Sequence, residues 1–275
     1  MSVGTLTRAE NEGFVKRADA ATCWEGNADA WTRHVRAGYD VYRDALNTPA
    51  FLQMLPAVDG LFGLDIGCGE GSNTRCLARR GAIMEAVDIA PTFVQRAREA
   101  EEASPLGISY ALGDGMALPF ADERFDFATA FMSLMDMPDA AVALREAARV
   151  LRPRGFLQFS ILHPCFVPPQ RKVVRDENDV PRAVEIGGYF DNVDGRIDTW
   201  WFSALPADAR RKDAPFHVPR FHRTLAAWVA MIVGAGLSIE RFEEPCASEE
   251  VARVEPIVAD TRIAPISLIV RARKP

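Results

Sequence analysis

The sequence predicts an α/β fold, an open sheet of mostly parallel strands wound on both faces by helices. Three observations predict it. Short apolar runs at residues 61–66, 83–87, 108–112 and 125–131 alternate with stretches of helix length. The run at 125–131 is almost continuously apolar, as a parallel strand covered on both faces requires. The run at 61–66 ends in glycines at alternate positions, Gly67, Gly69 and Gly71, followed by Ser72 and Asn73, which are both good helix caps. That is strand, tight turn and helix in succession.

Taken in order, residues 1–20 are polar and mixed in charge, without clear periodicity, and a disordered extreme N-terminus is expected; they lack the apolar stretch of a secretory leader. Trp31, Val35, Tyr39, Tyr42 and Leu46 recur at three- and four-residue steps, which predicts one aromatic-rich amphipathic helix over 24–46. Pro49 and Pro56 punctuate the approach to the first strand. A helix over 74–80 closes on Gly81. Pro91 suits the first turn of a helix reaching about residue 103, and Pro105 and Gly107 stop it. Asp139 caps a helix to 151, and 156–162 forms the fifth strand.

From 163 to 220 the character changes. Seven prolines, from Pro164 to Pro219, interrupt the chain, and Phe166, Tyr189, Phe190, Trp200, Trp201, Phe202 and Phe216 stand among them. A structureless loop of that length is uncommon inside a compact domain, so an inserted substrate lid of short strands or hairpins is expected over the active edge of the sheet. Trp200-Trp201-Phe202 is either the small core of that insertion or an aromatic wall for an apolar substrate. Thr224 caps the last long helix, and strands are expected at 237–242 and 263–270. Between these two strands, Glu243, Glu244, Glu249 and Glu250 read as a solvated loop. The resulting organisation is a helical lid over 1–48, a core over 49–162, the insertion over 163–220, and a C-terminal helix with the last two core strands over 221–275.

Composition bounds the function. With 275 residues, 48% hydrophobic and 25% charged, the chain can bury a sizeable core as a globular enzyme does. A net charge of −6 without a basic tract disfavours nucleic acid as partner, and no run reaches the length of a membrane span. The five cysteines are scattered, without Cys-x-x-Cys, and no His-x-x-x-His pair occurs. Neither disulfides nor a metal site are expected, and a reducing cytoplasm is. Oligomeric state leaves no trace in the composition.

The glycine turn carries the chemistry. Glycine permits positive φ and lets a ligand lie on backbone, and the helix that follows presents unpaired N–H groups. Asp88, 21 residues after Gly67, ends the second strand, where a carboxylate accepts hydrogen bonds from ribose hydroxyls. The pair reads as a site for an adenosine-containing ligand. A dinucleotide fingerprint would place glycine where Ser72 stands.

The pattern Asp65-x-Gly67-x-Gly69-x-Gly71 instead resembles the first motif of the class I S-adenosylmethionine (SAM)-dependent methyltransferases. Gly113-Asp114-Gly115-Met116 with Ala117-Leu118-Pro119-Phe120, then Phe125-Asp126-Phe127-Ala128 and the corner from Arg149 to Phe156, continue the resemblance over about 55–162. Among that superfamily the chain is similar to the small-molecule enzymes of ubiquinone and menaquinone synthesis. The resemblance implies a Rossmann-like, doubly wound seven-stranded sheet, mostly parallel, with an antiparallel last strand between the fifth and sixth. It implies SAM as cofactor, held by Asp65, Gly67, Cys68, Gly69, Gly71, Asn73, Asp88, Ile89, Asp114, Gly115, Met116, Phe131 and Met132. It also implies that the N-terminal helix closes the site, bringing Trp31, Arg36 and Tyr39 to the cofactor. The alternatives are an NAD-dependent oxidoreductase and a non-catalytic SAM-binding module.

Methyl transfer from a sulfonium to a hydroxyl needs a base for the acceptor's proton. Of the four histidines, His163 follows the fifth strand directly and His222 stands beside the insertion, and histidine titrates near neutrality. Asp136, past the fourth strand, is the third candidate. The expected acceptor is a small apolar or aromatic molecule, with O-methylation ahead of C- or N-methylation.

Overall fold

The computed structural model describes residues 17–275, so the N-terminal segment up to residue 16, and what was expected of it, lies outside the described residues. Helix α1 (Arg17–Arg36) is followed by a break, a π-helical turn at Arg43–Asn47, and α2 (Thr48–Met54). The single helix expected over 24–46 is thus two pieces. Gly38 takes φ +79°, which ends α1, and Asp40 Oδ1 accepts the Arg43 N–H at 3.2 Å to start the next turn.

The core then follows in order: β1 (Phe62–Ile66), α3 (Ser72–Ala78), β2 (Ile83–Asp88), α4 (Pro91–Ala103), β3 (Ser109–Leu112), β4 (Phe125–Phe131), α5 (Ala140–Val150) and β5 (Leu151–Leu162). Asp139 caps α5 as expected, its Oδ1 accepting the Val142 N–H at 3.0 Å. Gly71, rather than Ser72 or Asn73, caps α3, with φ +89° and no side-chain bond. The insertion holds two hairpins, β6 (Gln170–Arg175) with β7 (Pro181–Gly187), and β8 (Asp194–Trp200) with β9 (Phe216–Phe221), the short helix α6 (Ala207–Arg210) lying between the last two. Helix α7 (Leu225–Gly234), β10 (Ser238–Glu243), α8 (Glu249–Val254) and β11 (Ser267–Arg273) complete the described chain.

The seven core strands run in the order β10-β11-β5-β4-β1-β2-β3. β11 is antiparallel to both neighbours, and the pairs β5–β4, β4–β1, β1–β2 and β2–β3 are parallel. Strand order reverses between β1 and β4, and such a switch point opens a crevice at the C-terminal ends of those strands. Leu64, Ile66, Phe125, Leu144 and Leu157 pack one face of the sheet, and Phe51, Met84, Phe127 and Phe156 pack the other. Each such side chain contributes about 2 kcal/mol by leaving water.

Three boundaries differ from the sequence reading. The fifth strand begins at Leu151, not 156. The last strand begins at Ser267, not 263, because Pro265 has no N–H to give a central ladder. The stretch read as a solvated loop contains α8, capped by Ser248, whose Oγ accepts the Val251 N–H at 3.1 Å. Among the described residues no helix is long and apolar enough to cross a membrane.

Helix α1 and the β8–β9 hairpin share one apolar core. Trp31 lies 4.8 Å from both Phe202 and Phe216 between ring centroids, with Val35, Leu205 and Val218 buried around them. Lid and insertion, read as separate in sequence, are one cap. Trp200 and Phe202 serve that core, and Trp24, edge-on to Trp31 at 5.3 Å, extends it to Phe93 of α4.

Candidate active site

The glycine turn sits at the switch point. Gly67 and Cys68 donate to the Val87 carbonyl at 2.8 and 3.0 Å, which pins the loop to the end of β2. Gly67 has φ +72°, and a Cβ there would stand 2.5 Å from that of Ser133, whose Oγ in turn donates to the Ile66 carbonyl at 2.6 Å. Gly69 has φ +55° and nothing within 4 Å of where a Cβ would be. The loop is therefore packed underneath at Gly67 and open above at Gly69, a cradle for a ligand laid on backbone.

Asp88 closes one side of the cradle. Its Oδ2 accepts the Gly69 N–H at 2.8 Å and its Oδ1 the Ala90 N–H at 2.9 Å, which leaves further lone pairs for hydroxyl donors. Burial pushes its carboxyl up to about 6, against those backbone bonds. Asp114 Oδ1 accepts the Met116 N–H at 2.8 Å, and its Oδ2 meets no donor among the described residues. Ile89, half-buried, lies between these carboxylates and the loop in sequence, and Gly115 packs against Ile66 and Met137. At the end of β4, Phe131 stacks on Phe51 at 3.8 Å, and Met132 holds φ +52° while donating to Ser160 O at 3.0 Å. A left-handed methionine is uncommon, and strain of this kind gathers at functional edges.

Several expected contacts fall elsewhere. Asp65 lies beneath the loop, 1% exposed, with Oδ2 accepting Thr74 Oγ1–H at 2.6 Å and Oδ1 accepting Thr129 Oγ1–H at 2.8 Å. It ties β1 to α3 and β4 and supports the cradle from below. Asn73 Oδ1 accepts from Thr48 at 3.0 Å, joining α3 to α2. Cys68 is buried, and burial first of all raises its thiol well above the ordinary range, so it is a small apolar filler. Trp31 is engaged in the cap core described above. Tyr39 packs against His34, ring centroids 6.0 Å apart. Arg36 donates to Glu70 Oε2 at 3.5 Å and to the Arg96 carbonyl at 2.8 Å, so its guanidinium clamps the glycine loop from outside.

The three candidate bases separate clearly. His163 is 2% exposed, its Nδ1 accepts the Cys165 N–H at 3.1 Å, and its Nε2 lies 2.8 Å from Glu244 Oε1. A backbone N–H on Nδ1 fixes the proton on Nε2, so no lone pair is left for an acceptor; His163 fixes a corner. His222 Nε2 donates to the Tyr189 carbonyl at 2.8 Å, and burial lowers its pKa, which leaves a neutral ring with Nδ1 as the remaining acceptor. Asp136 lies in the turn Leu134–Asp136 after β4, and its carboxylate meets no hydrogen-bond donor among the described residues. Burial raises its pKa well above the usual range, opposed by the charges of Arg220 and Arg223. Arg223 grips the same turn, donating to the carbonyls of Met137 and Pro138 at 2.8 and 2.9 Å.

Comparison with known proteins decides between the ligands left open by the glycine turn. Residues 64–159 match the methyltransferase domain family. A SAM-dependent methyltransferase of Mesorhizobium loti is structurally similar, with TM-score 0.66 and 28% identity over 82% of this chain and 96% of that one. The chain carries a class I SAM-dependent methyltransferase domain. Methyltransferase GfsG of Streptomyces halstedii is 40% identical to it over 97 residues, 34% of this chain and 35% of the relative. A ubiquinone biosynthesis O-methyltransferase of Coxiella burnetii is 30% identical over 116 residues, 42% of this chain and 50% of the relative. The chain thus spans between a third and a half of these curated relatives, 35% and 50%. The residues of the methyltransferase domain fit SAM: Gly69 is open above, Asp88 has lone pairs to offer ribose, and Asp114 has a free oxygen for adenine. Sequence reasoning missed Thr74, Thr129, Ser133 and Glu70, whose roles appear only when distant elements meet.

Proposed function

We propose that this chain transfers the methyl group of SAM to a hydroxyl of a small apolar or aromatic molecule, with Asp136 as the base. Bound SAM supplies an electrophilic methyl whose leaving group is a neutral thioether. Asp88, Asp114 and the open face of Gly69 hold its adenosine. Asp136 takes the acceptor's proton as the new C–O bond forms and the S–CH3 bond breaks. Arg223 keeps the turn that carries Asp136 in place by bonding its carbonyls. The cap formed by α1 and the β8–β9 hairpin keeps water out, and orientation in a dry pocket contributes several kcal/mol to such a displacement. The name of the Coxiella relative, an O-methyltransferase, supports oxygen as the acceptor atom. Five scattered cysteines, with no Cys-x-x-Cys pair, suit a reducing cytoplasm.

The half-buried carboxylate of Asp136, which meets no hydrogen-bond donor among the described residues, carries the reading, since such a group at a ligand-bearing sheet edge is where acid–base chemistry concentrates. The test uses SAM labelled in the methyl group, a panel of phenols and aliphatic alcohols, and Asp136→Asn. Label should enter an O-methyl product, and the variant should lose about 10²–10⁴-fold in turnover with SAM affinity within a few-fold of wild type. Label found only in amine products, or an unimpaired variant, would overturn it.

A further inference from the structure

The segment between α1 and α2 crosses the crevice. At one end Arg36 bonds Glu70 in the glycine loop, and Arg43 Nη1 lies 3.6 Å from the same carboxylate. At the other, Asn47 Nδ2 donates to Ser160 Oγ at 3.1 Å, an oxygen that also accepts the Met132 N–H at 3.1 Å. The arch therefore spans from the end of β1 to the ends of β4 and β5. Adenosine held at Asp88 and Asp114 occupies the ends of β2 and β3, so the rest of an extended cofactor runs the other way, beneath the arch.

Asp40 stands in that arch between the two arginines. Arg36, Arg43, Asp44 and Thr48 line a cleft of about 380 Å³ on the outer side of the glycine loop, and Asp40 does not line it. Its Oδ1 accepts the Arg43 N–H, and its Oδ2 meets no hydrogen-bond donor among the described residues. Burial pushes its carboxyl up to about 6, with the Arg43 charge opposing. A half-buried carboxylate with a free oxygen gains from a cation placed against it.

We infer that Asp40 is the counter-charge for the ammonium group at the methionyl end of the cofactor, so that the arch closes on that end. The inference rests on the adenosine placement given under Proposed function. Asp40 lies near the Glu70 end of the arch, four residues after Arg36 and three before Arg43, the two arginines that hold Glu70, and that end is farther from Met132, where the reactive methyl belongs. The ammonium, rather than the sulfonium, is therefore its partner.

Calorimetric titration tests this with three ligands: SAM, its demethylated product S-adenosylhomocysteine, and 5′-methylthioadenosine, which keeps the adenosine and lacks the ammonium. Asp40→Asn retains an oxygen for the Arg43 N–H while removing the charge. It should weaken the first two ligands by about tenfold each and leave the third within about twofold. Asp40→Ser, whose hydroxyl can also accept from Arg43, should show the same pattern if the asparagine variant folds poorly. Loss confined to SAM would assign Asp40 to the sulfonium and overturn the inference. Equal loss of all three ligands, or no loss, would overturn it as well. Failure of the wild-type protein to bind 5′-methylthioadenosine would instead sink the adenosine placement beneath it.

Discussion

His163 Nε2 lies 2.8 Å from Glu244 Oε1, joining the end of β5 to a glutamate beyond the sheet's outermost strand. With Nδ1 accepting from Cys165, the ring is bonded on both sides and buried. His163→Ala is expected to leave the Cys165 N–H without its acceptor and to cost about 1–3 kcal/mol of stability. Thermal denaturation reads that loss. Single-turnover transfer at saturating SAM, measured below the variant's melting range, should stay within a few-fold of wild type; a collapse there would return His163 to the chemistry.

The two faces of the glycine loop predict opposite failures. Gly67→Ala puts a methyl 2.5 Å from Ser133 Cβ at φ +72°, so the protein should lose stability, the backbone part alone costing about 1–2 kcal/mol. Gly69→Ala meets nothing within 4 Å and should fold with a smaller loss, while its methyl occupies the cradle and weakens SAM binding. Melting temperature and SAM titration on both variants separate the cases. Equal SAM affinity in Gly69→Ala and wild type would place the cofactor elsewhere.

The pH dependence of binding follows from Asp88. Burial raises its carboxyl from 3.8 to about 6 in the folded protein. A raised folded value means that the proton favours the folded state: this contribution to stability is full below about 4 and is lost as pH rises through about 6. Asp65, raised likewise to about 6, adds to the same trend. The ionised form of Asp88 is the better acceptor for ribose hydroxyls, so SAM affinity should rise between pH 5 and pH 7.5 while ligand-free stability falls. Calorimetry across that range, with Asp88→Asn giving a flatter profile, checks it. An identical profile in the variant would remove Asp88 from the site.

The shared core of the cap makes its two parts energetically dependent. Trp31→Ala and Phe216→Ala should each cost about 3 kcal/mol, and their combination should fall short of the sum, because the rings touch. A double-mutant cycle by denaturant unfolding measures the coupling. Additive losses would show that lid and hairpin are independent.

Much of this was legible because it is local. Gly67, Gly69 and Gly71 are dictated by backbone sterics, and Asp139 and Thr224 cap their helices through bonds three residues away. The helix expected over 24–46 failed where aromatic periodicity masked Gly38, whose φ of +79° no periodicity count registers. The strand placed at 263 failed because apolar residues flank Pro265 on both sides. The surroundings of His163 were illegible for a different reason: placement at a strand end is visible in sequence, but the partners on each ring nitrogen come from Glu244 and a tight corner.

The sequence by itself determined the sheet, the glycine turn and the two carboxylates beside it, since steric and hydrogen-bonding rules act over a few residues. Tertiary structure decided what each polar side chain does. Asp65 is consumed by Thr74 and Thr129, Arg36 by Glu70, and Trp31 by the insertion's core, whereas Asp136 keeps an unbonded carboxylate. A side chain's availability depends on which distant donors and acceptors reach it, and only the packed chain brings those together.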